Sequence, residues 1–337
     1  MKIRLGTFNL FQFVEPPYSW YTKKDKFNQR QWLEKTTWIK NQILKMDCHI
    51  IGFQEVFSQN ALEDLLKELG FNYFSTVDVA KLSTNNKMKY VSTTVALASK
   101  YPITNIEIVK VHLPSIKKYH FGEEFKNPFH FSRIPIKATI TLPNEIELLV
   151  YVCHLKSNRQ NEFEYIFNEH HTLQYKKEVV SKALEGKYSK ALKQRLCEAS
   201  SLFFDIKKSK NKPTVLLCDL NDKEFSPTID ALSNHQYHDN TNKEHFILYD
   251  ASYQYQQNVH NPHPEAKAVK RKATSYFAGK GNVLDYIFIS NHFHKTNKDK
   301  IAQVTEYTVL DGHLQENRDG SLLKSDHAQV VCELTFE

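Results

Sequence analysis

Asp326 and His327 place a carboxylate beside an imidazole, immediately before the apolar run 328–331. The run is typical of a strand, and neighbouring residues on a regular strand face opposite sides of the sheet. Both side chains can therefore serve one site only if residues 325–327 form an irregular loop that enters the strand. Loops at strand ends often carry catalytic residues. A solvent-exposed pair is the alternative, so a functional interpretation depends on other residues.

Polar side chains also occur at the ends of other apolar runs. Burying such groups without partners would destabilise the protein, so packing alone explains them poorly. The residues are Asn9, Glu55, His154, Asp219, Asn221 and Asp285. Asp219 and Asn221 are two positions apart and share one face if the strand continues through both. Each could be an ordinary loop residue at a strand end, but that explanation is unsatisfactory for all of them together.

The composition of this set indicates a metal. Carboxylate and amide oxygens with two imidazoles are ligands suited to Mg²⁺ or Mn²⁺ rather than to zinc. The five cysteines are widely spaced and lie mostly inside apolar runs, so we expect buried reduced thiols and no disulfide framework. The sequence therefore predicts a magnesium or manganese site.

The segments that must position these residues predict an α/β protein with the polar ends at one edge of its sheets. Apolar or alternating runs predict strands at 2–10, 48–55, 71–77, 93–98, 133–141, 147–154, 214–219, 246–251, 283–290 and 328–336. Helical spacing predicts helices at about 29–45 and 58–70, and residues 160–206 are helical in pattern. Pro143-Asn144 indicates a hairpin turn, which argues against an entirely parallel sheet.

Length and charge set broader limits. A chain of 337 residues with 41% hydrophobic content can bury a large core, in one α/β domain or in two closely packed halves. No segment approaches the roughly 20 apolar residues of a membrane helix, and the first residues lack the pattern of a signal peptide. We therefore expect a cytoplasmic protein without stable membrane insertion, with leaderless export as the alternative. The net charge of +7 suits an anionic substrate.

Six short motifs, in order along the chain, resemble those of the endonuclease/exonuclease/phosphatase superfamily. They are Thr7-Phe8-Asn9, Gly52-Phe53-Gln54-Glu55-Val56, His154-Leu155-Lys156-Ser157, Cys218-Asp219-Leu220-Asn221, Leu284-Asp285-Tyr286-Ile287 and Ser325-Asp326-His327. Cys218 stands where many members have glycine, a change that should leave Asp219 in place. The resemblance implies a single catalytic domain, residues 1–337, folded as a four-layer αββα sandwich. In this fold two mixed β-sheets pack face to face with helices outside, and the active site lies at one end.

The resemblance also implies roles around a metal. Glu55 would be the principal ligand, with Asn9 and Asp326 near the ion. Asp219 and Asn221 would orient the attacking water and the phosphate.

The same resemblance gives the imidazoles separate tasks. His154 would donate to the phosphoryl oxygens, and His327, oriented by Asp285, would complete an acid/base or phosphate-binding pair. An anionic phosphodiester repels hydroxide, so hydrolysis needs a metal to offset charge and donors to hold the developing oxygens. Whether Asp219 or His327 is the general base stays open at this point.

The reaction type follows more directly than the substrate. The motif that begins at His154 resembles extracellular and bacterial nucleases of the superfamily, and segments typical of inositol-polyphosphate 5-phosphatases are missing. We therefore expect a divalent-metal-dependent phosphodiesterase, a nuclease on DNA or RNA. The alternatives are a sphingomyelinase-like or other phosphoesterase of the superfamily, and an inactive member that acts as a binding module.

Basic residues support nucleic acid as the partner. Two basic loops, Lys207–Lys212 and residues 262–272, suit an anionic substrate, and the second is expected to overhang the site, where its lysines would contact flanking phosphates. The specific candidates for substrate binding are Lys156, Lys270, Arg271 and Lys272. Tyr276 or Phe277, which follow the second loop, could stack on a base. Solvated charge that keeps the protein soluble is the alternative explanation of these loops.

Overall fold

Strands and helices alternate along the chain, as the sequence predicts for an α/β protein. The computed structural model describes residues 1–22, 24–119, 128–158, 167–185, 189–238, 246–255, 271–277, 279–316 and 323–337. The strands are β1 (Lys2–Phe13), β2 (Ser19–Trp20), β3 (Ile50–Val56), β4 (Tyr73–Ser75), β5 (Leu82–Ser83), β6 (Asn86–Tyr90), β7 (Thr94–Ser99), β8 (Ile103–Ile108), β9 (Ile136–Thr141), β10 (Glu147–His154), β11 (Thr214–Asp219), β12 (Tyr249–Asp250), β13 (Ser275–Phe277), β14 (Lys280–Asn282), β15 (Asp285–Ile289), β16 (Ala302–Leu310) and β17 (Gln329–Phe336). The helices are α1 (Gln29–Met46), α2 (Gln59–Lys67), α3 (Leu113–Lys118), α4 (Leu173–Glu185), α5 (Lys190–Lys208), α6 (Pro227–Ser233), α7 (Ala251–Tyr255) and α8 (Gly312–Glu316).

The first large sheet brings Asn9 and Glu55 to one edge. Within the described residues its strand order is β16–β17–β1–β3–β7–β4. β1 and β3 are parallel, whereas the other neighbouring strands are antiparallel. Asn9 pairs with Gln54, the residue before Glu55. Because the carboxyl ends of parallel strands meet at the same edge, both polar residues lie there.

The second large sheet brings three further polar residues to one edge. Its order over the same described ranges is β12–β15–β11–β10–β9–β8. β10 and β11 are parallel, so that His154 pairs with Asp219 at their carboxyl ends. β15 runs antiparallel to β11 and begins at Asp285, which pairs with Asp219 from the other side. His154, Asp219 and Asp285 therefore form one row across three adjacent strands.

The two large sheets pack face to face around an apolar core. Side chains from β1, β3 and β7 contact side chains from β9, β10, β11 and β15 in this layer. The outer face of the first sheet is covered by α1 and α2, and that of the second sheet by α5 and α6. Two mixed sheets between helices make the four-layer αββα sandwich that the sequence predicts, and this prediction is confirmed.

Gly52 marks a close approach of the sheets. A Cβ atom at this position would lie 2.9 Å from Cβ of Leu217 and 3.0 Å from a methyl group of Val152. Real Cβ atoms essentially never lie within 3.0 Å of another side-chain carbon. The separation of β3 from β10 and β11 therefore depends on the absence of a side chain at Gly52.

Some elements differ from the sequence prediction. Ala302–Leu310 forms β16, which the sequence analysis does not predict. The short strand β6 pairs with β2 on one side and with β5 on the other in a small sheet. The predicted strand 246–251 is reduced to Tyr249–Asp250, because the chain turns into α7 at Ala251. Edge strands and small sheets are weakly encoded locally, since one side of each strand faces solvent.

No helix in the described part of the chain is both long and apolar enough to span a bilayer.

Candidate active site

Asn9 joins the two sheets at the site. Its Nδ2 donates to Asp219 Oδ2 at 2.9 Å, a contact between β1 and β11. The backbone oxygen of Asn9 accepts the Ser325 hydroxyl at 2.6 Å, and this hydroxyl accepts the backbone N–H of His327 at 3.0 Å. These bonds hold the loop that enters β17 against β1. The loop is irregular, so Asp326 and His327 both reach the site.

A bulge in β1 orients Asn9 and Glu55. Phe11 and Gln12 have φ angles of 50° and 60°, and Glu55 has a φ angle of 58°, in the left-handed region that non-glycine residues rarely adopt. The Gln12 N–H donates to Glu55 Oε2 at 2.9 Å, and the Phe11 N–H donates to Asn9 Oδ1 at 2.9 Å. Backbone strain of this kind is concentrated at functional sites, where surrounding structure maintains it.

His327 and Asp285 form a buried dyad. His327 Nδ1 lies 2.8 Å from Asp285 Oδ2 and donates to it, as the sequence analysis expects. Burial alone would lower the pKa of His327, but the Asp285 and Asp219 carboxylates raise it well above its ordinary value. These carboxylates therefore favour the protonated form of His327. Asp285 Oδ1 is buried without a hydrogen-bond partner among the described residues.

Asp219 lies at the centre of the site and is fully buried. Burial raises its pKa to about 7, an effect that Asp285 reinforces and the positive charge of His327 opposes. Its Oδ1 accepts the Asn221 N–H at 2.8 Å, while Asn9 donates to Oδ2. Asp219 is thus held from both sides and is able to exchange a proton near neutral pH.

Asn221 reaches the site by a turn. β11 ends at Asp219, and Asn221 has a φ angle of 50°, so the two residues do not share a strand face as the spacing suggested. The Asn221 side-chain amide donates to the backbone oxygen of Leu155 at 3.0 Å. This bond connects the end of β11 to the segment after His154.

The surroundings of His154 favour the neutral form of its imidazole. Its Nε2 lies 3.4 Å from Asp219 Oδ2, and its Nδ1 is buried with no hydrogen-bond partner in the described ranges. Burial lowers the pKa of His154 well below its ordinary value, and the positive charge of Arg133 lowers it further. His154 can therefore donate only the single N–H of a neutral ring.

Glu55 and Asp326 form a carboxylate pair suited to a divalent cation. Burial raises the pKa of Glu55, and the negative charge of Asp326 raises it further. The Asp326 side chain is 53% exposed. Neighbouring protein atoms still desolvate its carboxylate in part, and this raises the pKa of Asp326 as well. Two hard oxygen donors that repel one another fit Mg²⁺ or Mn²⁺, which would relieve the repulsion.

A second group could also approach an ion. Ligand atoms of Asp219, Asp285 and His327 lie within 4.8 Å of one another. However, His327 Nδ1 already donates to Asp285, and a metal on that nitrogen would break the bond. The group is therefore better explained as acid/base machinery than as a metal centre.

Arg133 lies at the site although the sequence analysis gives it no role. Its guanidinium donates to the backbone oxygen of Leu155 at 3.2 Å and interacts with the Tyr21 hydroxyl. Its charge acts on both Glu55 and His154. The available signal was its position, because Arg133 is a charged residue at the start of the predicted strand 133–141. A half-buried guanidinium here is suited to binding a phosphate.

Lys35 is a second residue that the sequence analysis missed. It is fully buried on α1, on the same face as the core residues Ile39 and Ile43. Its charge interacts with Glu55 and Asp326. The available signal was its position, because a lysine four residues before Ile39 stands on the apolar stripe of an amphipathic helix.

Arg271 is buried in ion pairs, which favours a structural role over the predicted role in substrate binding. Its side chain is 6% exposed and forms ion pairs with Asp250 and Glu224. It also donates to the Tyr307 hydroxyl at 2.8 Å. These partners hold the two terminal nitrogens of the guanidinium, and Nε is buried without a hydrogen-bond partner among the described residues. Lys270 lies outside the described residues.

The basic segment Lys207–Lys212 is distant from the candidate site. It precedes Thr214, the first residue of β11, whereas Asp219 is the last. Six residues of strand span roughly 20 Å. The loop therefore lies at the opposite end of the sandwich.

Two other basic residues remain compatible with substrate binding. The Lys156 charge lowers the pKa of His154, which places its ammonium near the site. Lys272 is 63% exposed and lies 3.3 Å from Asp311. Tyr276, a candidate for base stacking, is 43% exposed.

Several solved structures have a similar fold. The human Nocturnin catalytic domain with bound sulfate anion has a TM-score of 0.58 at 14% identity and covers 100% of this chain and 94% of its own. An endonuclease/exonuclease/phosphatase from Bacteroides vulgatus has a TM-score of 0.53 at 16% identity, with 100% of both chains covered. D. rerio TDP2 complexed with single strand DNA product has a TM-score of 0.53 at 10% identity, with 99% of each chain covered. At these identities the similarity establishes the fold alone.

Fold and site together define a class: four-layer αββα sandwiches with carboxylates and imidazoles at one end of the sheets. Residues 6–327 match the sequence model of the Endonuclease/Exonuclease/phosphatase family. The chain belongs to this family. No curated protein resembles the sequence closely enough to count as a match.

Proposed function

We propose that this protein is a divalent-metal-dependent phosphodiesterase that hydrolyses nucleic acid, either DNA or RNA. The main support is one arrangement: Asp219 lies between the His327–Asp285 dyad and His154. The carboxylates of Glu55 and Asp326 interact with the charge of the same His327. Family membership supports the same reaction class. D. rerio TDP2 has this fold and was solved with a single strand DNA product, which favours nucleic acid as the substrate.

Glu55 and Asp326 would hold the metal, Mg²⁺ or Mn²⁺. Asn9 Oδ1 accepts the Phe11 N–H and retains a second lone pair toward the ion. When bound, the ion would offset the negative charge of the phosphodiester and activate a water molecule.

Asp219 would be the general base. A pKa of about 7 allows the carboxylate to accept a proton from water at neutral pH. The water oxygen forms a bond to phosphorus, its proton passes to Asp219, and the bond from phosphorus to the leaving oxygen breaks. Asn9 and Asn221 keep both Asp219 oxygens in place during this exchange.

Three donors would bind the phosphoryl oxygens. His327 contributes a positive charge that Asp285 maintains, and Arg133 contributes a guanidinium. His154 contributes a neutral N–H. Fixed donors in a buried site stabilise the charge of the transition state more than they would in water.

The test of the reaction is Glu55→Gln, assayed with a generic phosphodiester in saturating magnesium. The substitution keeps the shape but removes a charged ligand, so turnover should fall by about a hundredfold or more while circular dichroism stays unchanged. Glu68→Gln, at an exposed surface position, is the matched control. Near-normal turnover of Glu55→Gln would refute the metal assignment.

The test of the substrate is a panel of single-stranded DNA, duplex DNA, RNA and sphingomyelin vesicles. We expect magnesium-dependent hydrolysis of at least one nucleic acid. Hydrolysis of sphingomyelin alone would show a lipid phosphodiesterase. Hydrolysis of no phosphodiester would favour a binding module.

A further inference from the structure

Lys35 is an unusual residue to find beside the candidate metal site. Its side chain is completely buried on α1, and burial lowers its pKa to about 7 even though Glu55 and Asp326 act to raise it. Burying an ammonium group is unfavourable unless nearby groups stabilise it. The proposed reaction gives Lys35 no role.

Two aromatic rings lie near the Lys35 ammonium. Its Nζ lies 5.8 Å from the centre of the Phe11 ring and 5.4 Å from that of Phe27, distances at which aromatic faces attract a cation. Phe11 belongs to the left-handed bulge whose next residue, Gln12, binds Glu55 through its N–H. The same bulge therefore orients the metal-binding carboxylate and contacts the ammonium.

We propose that Lys35 is a charge-compensating residue of the metal site, whose ammonium offsets part of the negative charge of Glu55 and Asp326 and so weakens the binding of a divalent cation. The inference rests on the proposed metal site. Without the lysine, two carboxylates that repel each other would face the ion alone and attract it more strongly. Lys35 is thus a positioning residue that acts through the carboxylates and does not touch the substrate.

The experiment measures magnesium binding to the complete protein by calorimetry at about pH 6, where the Lys35 ammonium is charged. Lys35→Met keeps the length of the side chain but removes the charge, and we expect the Kd for magnesium to fall about threefold to tenfold. Lys35→Arg keeps the charge and should leave the Kd within about twofold of the wild type. Lys45→Met, at an exposed position on the same helix, is the matched control and should have no effect.

Thermal unfolding gives a second measurement. A lower Kd means that a given magnesium concentration stabilises the folded state more, so magnesium should raise the Tm of Lys35→Met further than that of the wild type. Lys35→Gln should behave in the same way. A purely structural lysine would change the Tm without changing the Kd.

Three results would contradict the proposed charge-compensating role of Lys35. The first is an unchanged or higher Kd in Lys35→Met, and the second is a Kd in Lys35→Arg that falls as far as in Lys35→Met. The third is failure of both Lys35→Met and Lys35→Gln to fold in saturating magnesium. If Lys35 only offsets the charge of the two carboxylates, bound magnesium should take over that task and the variants should fold. If the wild type itself binds no magnesium, the proposed function fails. If the wild type binds magnesium and only these variants disagree, the inference about Lys35 fails alone.

Discussion

Asp285 controls the charge of His327 through a bond of 2.8 Å. Because the carboxylate raises the pKa of His327, Asp285→Asn should lower that pKa. If catalysis needs the protonated imidazole, activity is lost as pH rises through the pKa of His327. The alkaline limb of the pH–rate profile should therefore move to lower pH in Asp285→Asn, with slower turnover at neutral pH.

Calorimetry distinguishes the orienting of His327 by Asp285 from a role of Asp285 as a metal ligand. Calorimetry should find magnesium affinity almost unchanged in Asp285→Asn, since Asp285 orients His327 and is not a ligand in the proposed site. Asp299→Asn, at an exposed position, serves as the control for the loss of a carboxylate. Loss of magnesium binding would instead support a metal at Asp219, Asp285 and His327.

His154 and His327 are expected to act on the same phosphate. Replacing either by alanine should slow turnover by about a hundredfold or more, because each removes a donor to the transition state. The double variant should lose less than the product of the single losses, since groups that act as a unit are not additive. Rates of the two single variants and the double variant complete the cycle, and full activity in His154→Ala would contradict its role.

At the scale of residues, the sequence predicted the candidate site residues that lie at the ends of apolar strands. Asn9, Glu55, His154, Asp219 and Asp285 all lie at one end of the sandwich, as expected. Basic residues were predicted poorly, because a lysine or arginine gives the same local signal on the surface, in a buried ion pair or beside a metal site.

At the scale of elements, the separation of the sheets should be sensitive to Gly52. Gly52→Ala would place a Cβ 2.9 Å from Leu217 Cβ, and this overpacking should lower the free energy of unfolding by about 1–3 kcal/mol. Gly312→Ala, where nothing lies within 4 Å of the added atom, is the matched control. Urea unfolding measures the free energy of unfolding of both variants. Equal values would show that the sheets can move apart with little loss of stability.

Arg271 should affect stability more than substrate binding. Arg271→Ala leaves Asp250 and Glu224 without their cation in a buried setting, and removing one partner of such a pair destabilises by about 3–5 kcal/mol. Lys272→Ala removes only an exposed lysine and should change stability by less than about 1 kcal/mol. Thermal unfolding distinguishes the two residues. A folded Arg271→Ala protein of normal Tm with a raised KM would restore the substrate-binding role.

The elements themselves could be predicted where their pattern was continuous. Buried strands such as Thr214–Asp219 and the amphipathic helix Gln29–Met46 agree with the sequence prediction to within a few residues. Ala302–Leu310 was missed because its pattern is mixed, and the strand depends on its pairing with β17. Such pairing is a tertiary interaction that local sequence does not encode.

At the scale of the molecule, a net charge of +7 should make substrate binding sensitive to salt. We expect KM for nucleic acid to rise with salt, and Lys156→Ala to raise KM more than it lowers kcat. Lys208→Ala is the matched control, because this exposed lysine lies at the opposite end of the sandwich. Steady-state kinetics at two salt concentrations measure both effects, and equal KM changes in the two variants would point to non-specific attraction.

The position of β17 has a consequence for synthesis on the ribosome. β17 lies in the interior of the first sheet, between β16 and β1, and pairs Val330 with Thr7 of the first strand. During synthesis, the N–H and C=O groups on one edge of β1 therefore stay unpaired until β17 emerges, after almost all other strands. Asp326 and His327 arrive with that strand. A partly synthesised chain from which β17 has not yet emerged would therefore lack both Asp326 and His327 at the candidate site.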